Sequence, residues 1–234
     1  MRNPAPILIL VISLLVGQTQ SPELVEAGQL SEQVITLYKE GKYDTALPLA
    51  ERALALREKV LGPDHLSTAD ALANLAQVYM AKGRRKEAKA YYQRAISIRE
   101  KNPGGDNRVL GFLLERYVCL VAEEGQKDEM LEVRKRLFKL NNGIGYDEAS
   151  HKATDLPAPR YPPEARLKKL SGIVVAKVTV DETGKVSEAK LLCGDPLLVK
   201  GVGYAVWNAR FKPPTASGRP IKLIDLLIYH FVAN

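Results

Sequence analysis

Gly41, Gly83 and Gly125 stand 42 residues apart, and the same interval relates Ala46, Ala88 and Met130, then Ala53, Ala95 and Leu137, and also Arg57 and Arg99. A fixed period of this length restricts the fold more than any composition does. Each unit must bury its apolar face against the next, so about three units are needed before such a stack is stable. Around each glycine the pattern predicts a helix, a short turn and a second helix. In the middle unit Leu72, Leu75, Ala76 and Tyr79 fall at i, i+3, i+4 and i+7, one face of a helix, which Gly83 ends. Ala88, Tyr92 and Ala95 supply the facing side of the next helix, and the two alanines let the pair approach closely.

This middle unit resembles a tetratricopeptide repeat, with Leu72, Leu75, Ala76, Tyr79, Gly83, Ala88, Tyr92 and Ala95 at signature positions. The connection Leu61-Gly62-Pro63-Asp64-His65 is similar to that of the 42-residue variant found in kinesin light chains and many bacterial proteins. The first unit, about 28–60, keeps Gly41, Ala46 and Ala53 but has Gln33 at a usual leucine position. The third, about 108–140, keeps Gly125 but carries Met130, Arg134 and Leu137 at usual small or aromatic positions, as a degenerate or capping repeat would. Repeats are thus expected over 24–140. The resemblance implies a concave face built from first helices, with Asn74 either a peptide-backbone contact or a solvated polar residue. Tyr38, Tyr43, Tyr79, Tyr91 and Tyr92 are expected to pack between helices, and His65 to serve its turn.

Before the repeats, residues 7–16 are apolar except for Ser13, and Arg2 is the one positive charge preceding them. Ten helical residues rise ~15 Å, half of a bilayer core, which fits the apolar region of a secretory signal better than a spanning helix. Gly17-Gln18-Thr19-Gln20 lacks a small-x-small cleavage pattern, so export is expected over 1–20 while cleavage stays open. Membrane contact follows only if this segment is retained. Cys119 and Cys193 match no metal or redox spacing. Buried free thiols are the simplest expectation, and an interdomain disulfide is the alternative in an oxidising compartment. From Leu156 onward there are 12 Lys and Arg against 6 Asp and Glu, and before it 22 against 21, so the basic character belongs to the C-terminal part. No Lys/Arg run with interleaved aromatics is present, which disfavours nucleic acid as a partner.

Residues 141–160, with Asn141-Asn142-Gly143, Pro157 and Pro159, read as a linker. Beyond it, 161–234 predicts a short helix, two strands around the turn Asp181-Glu182-Thr183-Gly184, one helix over 197–209 weakened by Gly201 and Gly203, and a last strand over 221–231. Tyr161-Pro162 with Ala165-Arg166, Gly172, Asp181 with Gly184-Lys185-Val186, Phe211-Lys212-Pro213, Gly218 with Pro220, and Phe231 together resemble the TonB C-terminal domain. The expected class is therefore α+β in two domains, a helical solenoid followed by a small antiparallel-sheet domain.

The resemblance implies a periplasmic module of a Gram-negative bacterium. It would bind a short peptide of an outer-membrane transporter or other envelope protein by adding it as a strand to a sheet edge. The edge would be Lys222, Ile224, Leu226, Ile228 and His230, braced by Tyr161 and Pro162, and two chains could pair through it. An adapter is the preferred reading, and an energy transducer with an uncleaved anchor is the alternative. Asp225 departs from the pattern: it shares a face with Leu223, Leu227, Tyr229 and Phe231 and needs a partner or a bulge. His65, His151 and His230 are scattered, and no nucleophile motif, phosphate loop or paired-ligand spacing is present, so no enzyme, cofactor or metal is expected.

Overall fold

The computed structural model describes residues 21–102, 106–142, 153–216 and 218–233. The apolar segment 7–16 and residues 143–152 of the expected linker lie outside the described residues. Six helices come first: α1 Pro22–Lys39, α2 Tyr43–Leu61, α3 Leu66–Ala81, α4 Arg85–Lys101, α5 Asn107–Glu123 and α6 Lys127–Asn142. They pack as successive pairs, each pair against the next. The periodic glycines end the first helix of each pair, with φ of 74°, 72° and 69° at Gly41, Gly83 and Gly125. In each turn the next residue's amide bonds back five positions: Lys42 to Leu37, Arg84 to Tyr79 and Gln126 to Val121. This cap needs a left-handed residue, which glycine adopts without the Cβ penalty. The repeat period is therefore a period of helix caps. His65 does serve its turn, its Nδ1 accepting the Ser67 amide at 3.0 Å to cap α3.

The second region runs β1 Ala153–Asp155, α7 Pro163–Leu167, β2 Gly172–Val180, β3 Val186–Gly194, α8 Pro196–Val199, α9 Gly203–Asn208, β4 Arg210–Phe211, β5 Thr215–Ala216, β6 Arg219–Pro220 and β7 Leu223–Phe231. Its main sheet is antiparallel in the order β3-β2-β7. Part of the expected linker is ordered, with β1 pairing against β4. The helix expected over 197–209 is broken into α8 and α9. The break lets Gly201 meet the chain entering the domain: its carbonyl accepts the Arg160 amide at 3.0 Å. A Cβ there would lie 2.0 Å from the Arg160 carbonyl oxygen.

Two cores result. The helical core holds Leu72, Leu75, Tyr92, Ile96, Leu113, Leu114 and Leu120, and it continues into Val175 and Leu226 of the sheet. The other sheet face, with Val174, Ala176, Val178, Val180, Leu227 and Tyr229, packs on Ala165, Leu198, Val202 and Val206 of the small helices. The sheet is therefore a middle layer between the repeats and α7–α9, with β2 and β7 largely covered on both faces and β3 largely exposed. The tyrosines pack as expected. Tyr92 is fully buried, Tyr79 stacks on Tyr91 with centroids 5.3 Å apart, and Tyr38 meets Tyr43 at 5.4 Å. Gly201→Ala is expected to destabilise the chain by about 1–3 kcal/mol through the collision with Arg160. Urea unfolding checks this, and an unchanged midpoint would show that the two segments do not need this close approach.

Candidate interaction surfaces

Asn74 is half-buried and lines a groove of about 240 Å³ between the first helices α1 and α3, with Val34, Ile35, Tyr38, Lys39, Gln77 and Val78. Ile35 is 45 % exposed there. Apolar walls with Lys39, Asn74 and Gln77 at the rim suit an extended peptide whose backbone needs polar partners. The repeat interval carries Ile35 to Gln77 and then to Cys119. The helical face that is open in the first two units is thus the face that meets the sheet in the third.

The residues expected to form the strand-accepting edge are not equally available. β7 is an edge strand of the sheet, pairing with β2 alone among the described residues. Lys222 and His230 at its ends are exposed, Ile224 and Ile228 are half-buried, and Leu226 is 5 % exposed, packed in the helical core. Tyr161 sits at one end of β7, whereas Pro162 lies beside Gly201. The Tyr161 ring meets Phe231 edge-on at 5.6 Å, its hydroxyl donates to the Leu170 carbonyl, and Arg166 lies over it at 5.7 Å. Pro162 is buried.

Asp225 has its partner. Both of its carboxylate oxygens accept from the Arg134 guanidinium of α6, and Oδ1 also accepts the Leu226 amide at 2.7 Å. The β2–β7 ladder runs without a register shift, so the pairing with Arg134 and not a bulge answers the buried charge. Next to Arg134 in sequence, Leu137 joins the helical core while Phe138 joins the core on the opposite sheet face. Helix α6 therefore runs along the outer side of β7 and reaches around it to both faces.

Two further links tie the sheet to α5. The buried Glu115 carboxylate accepts from Lys177 of β2 and, at 2.9 Å, from Lys190 of β3. Burial raises the Glu115 pKa, but the hydrogen bonds and charges of the two lysines outweigh it and hold the carboxyl below its ordinary value of 4.5. Beside them Cys119 and Cys193 form a disulfide, their Cα atoms 6.0 Å apart. The expectation of free thiols is corrected: the two domains bring the cysteines face to face. Nothing in the sequence singles out Lys177 and Lys190 as partners of Glu115, and Arg134 stands out there only as a departure from the repeat pattern, not as the partner of Asp225. A carboxylate at Asp225 on an otherwise apolar strand face is the signal in the sequence that something must cover it.

Residues 30–101 match the family model for the tetratricopeptide repeat, and residues 157–232 match that for the Gram-negative bacterial TonB protein C-terminal. The helical stack is of the tetratricopeptide type and the sheet domain of the TonB C-terminal type. No curated protein matches the chain. Among solved structures, the TPR-like repeats of a putative kinesin light chain of Podosopora anserina align over 51 % of this chain and 57 % of that one, at 19 % identity and a TM-score of 0.44. BtubC (BKLC) of P. vanneervenii aligns over 57 % and 54 %, at 16 % identity and a TM-score of 0.48. The TonB C-terminal domain of Pseudomonas aeruginosa aligns over 36 % of this chain and 88 % of its own, at 21 % identity and a TM-score of 0.31. The chain thus spans little more than half of the kinesin-light-chain-like structures it matches.

Both modules are protein-interaction modules, and here they are bolted together. Arg134→Met leaves the Asp225 carboxylate buried without its cation and is expected to cost about 3 kcal/mol. Arg134→Met with Asp225→Leu should recover most of that loss in urea unfolding, and equal losses in single and double variants would contradict the pairing. The Glu115 cluster gives a pH signature. A carboxyl whose folded pKa is depressed stabilises above its unfolded value and loses that contribution as pH falls through the folded value. The stability difference between the native chain and Glu115→Gln should therefore shrink as pH is lowered below 4.5, measured by urea unfolding from neutral to acid pH. A constant difference would remove the lysine contacts as its cause.

Proposed function

We propose that the chain is a periplasmic adapter: the repeats take one envelope protein in the α1–α3 groove and the TonB-like sheet takes a second by edge-strand addition along Lys222–His230. The observation that carries this reading is the Cys119–Cys193 disulfide between the two interaction modules. Such a bond persists in oxidising compartments and is rare in the cytosol. The apolar segment at 7–16 supports export as well. No helix of the described residues is long and apolar enough to cross a membrane, and no three His, Cys, Asp or Glu side chains among them gather at metal-ligand spacing.

The chain used as bait on envelope extract should retain a partner that Ile35→Asp with Asn74→Ala loses by tenfold or more. A second bait, altered only at the exposed edge residues Lys222 and His230 and compared with the native chain after both are treated with dithiol, should lose a different partner. If both variants recover what the native chain recovers, neither surface is the binding site. Non-reducing peptide mapping of chain taken from the periplasmic fraction should yield the linked Cys119 and Cys193 peptides, and recovery of free thiols alone would oppose the assignment to that compartment.

A further inference from the structure

We infer that the β7 edge is held closed by the protein itself: α6 occupies the outer side of β7, the Cys119–Cys193 bond keeps it there, and reduction of that bond opens the edge. The inference rests on the reading of the sheet as a strand acceptor and concerns how that site is regulated.

A strand adding to β7 must reach its outward backbone groups and place alternate side chains on both faces of the sheet. Helix α6 holds those positions. Leu137 shares the core on the repeat side with Leu226 and Ile228, Phe138 shares the core on the other side with Leu223 and Leu227, and Arg134 grips Asp225 on that second face. Covering an edge with a helix is one of the ways a sheet is kept from pairing with other chains. What stands open at β7 is its two ends, Lys222 and His230, too far apart to hold a strand by themselves.

The second element is the clamp. Among the described residues the sheet is tied to the repeats in three ways: the packing of α6 on β7, continued by Val175 in the helical core, the ion pairs of Glu115 with Lys177 and Lys190, and the disulfide from α5 to β3. The first two are non-covalent and reversible. The third, across 74 residues of chain, prevents the sheet from swinging away however often the others open. Reduction by an external dithiol breaks the Sγ–Sγ bond. Two electrons and two protons pass to Cys119 and Cys193, and the dithiol is left as its own disulfide. The α6 contact must then hold the edge without a covalent tether.

Amide hydrogen exchange of the full chain tests this without any partner. In the oxidised chain the peptide covering Leu223–Phe231 should be slow. With excess dithiol, or in Cys119→Ser with Cys193→Ser, exchange in Ile224–Ile228 should quicken at least tenfold while the peptide covering α3 keeps its rate. Phe138→Ala with the disulfide intact should give a smaller increase at the same amides. Unchanged β7 exchange on reduction overturns the proposal, and so does equal acceleration in α3, which would make the bond a general stabiliser. A chain that opens on reduction yet captures no envelope partner would sink the adapter reading and leave the closure standing.

Discussion

A stack of helix pairs ends on an apolar face that must be covered, and the covering of that face organises this molecule. The repeat interval shows how. Tyr92, Ala95 and Ile96 of α4 are buried within the stack, where the next pair covers them. One period on, the same positions of α6 are Arg134, Leu137 and Phe138, and β7 covers them. The sheet domain stands where a fourth pair of helices would stand. Burial of Phe138 alone contributes about 2–3 kcal/mol, and the third unit's departures from the repeat pattern are those of a surface fitted to a sheet. Arg134 replaces an aromatic because the new neighbour brings a carboxylate.

That fit explains what could be read from the sequence and what could not. The caps at Gly41, Gly83 and Gly125 and the alternation in β2 are local, so periodicity exposes them, and both modules were legible from residues close in sequence. The packing of one module on the other was not. Arg134 and Asp225 are separated by 91 residues and Glu115 and Lys190 by 75, and no spacing rule connects them. Cys119 and Cys193 fell to the same difficulty: each looks like an ordinary buried thiol until the domains are brought together. The break at Gly201 escaped for a related reason, since the glycine answers the backbone of Arg160 and not its own helix.

The two long edges of the sheet are treated differently. β3 slips register against β2 at Ser187 and at Leu192, and between those irregularities it presents Glu188 and Lys190. Bulges and charges discourage the pairing of an edge with another chain. β7 shows no such device: its ladder is regular from Gly172–Phe231 to Val180–Leu223, and its side chains are mostly apolar. A regular, apolar edge is the kind a strand can add to, and it is also the kind that invites unwanted association. Only a cover reconciles the two, and α6 is the cover.

The links between the modules differ in how they can be undone. The Arg134–Asp225 pair is buried on the acid's side, so separating it exposes a carboxylate to water that was costly to bury. That loss is partly repaid by solvation, which makes the pair a contact that can open. The Glu115 cluster opens in acid. The disulfide, closing a loop of 74 residues, constrains the separated state by about 4 kcal/mol on chain-entropy grounds, more than any one of the non-covalent contacts can offer. A covalent bond that strong would be superfluous if the covered end of the stack were meant only to stay covered, because the apolar packing of Leu137, Phe138, Leu226 and Val175 already favours that. Its placement on β3, the edge farthest from α6, holds the whole width of the sheet against the repeats, and it converts a contact that would open and close by itself into one whose opening depends on thiol chemistry.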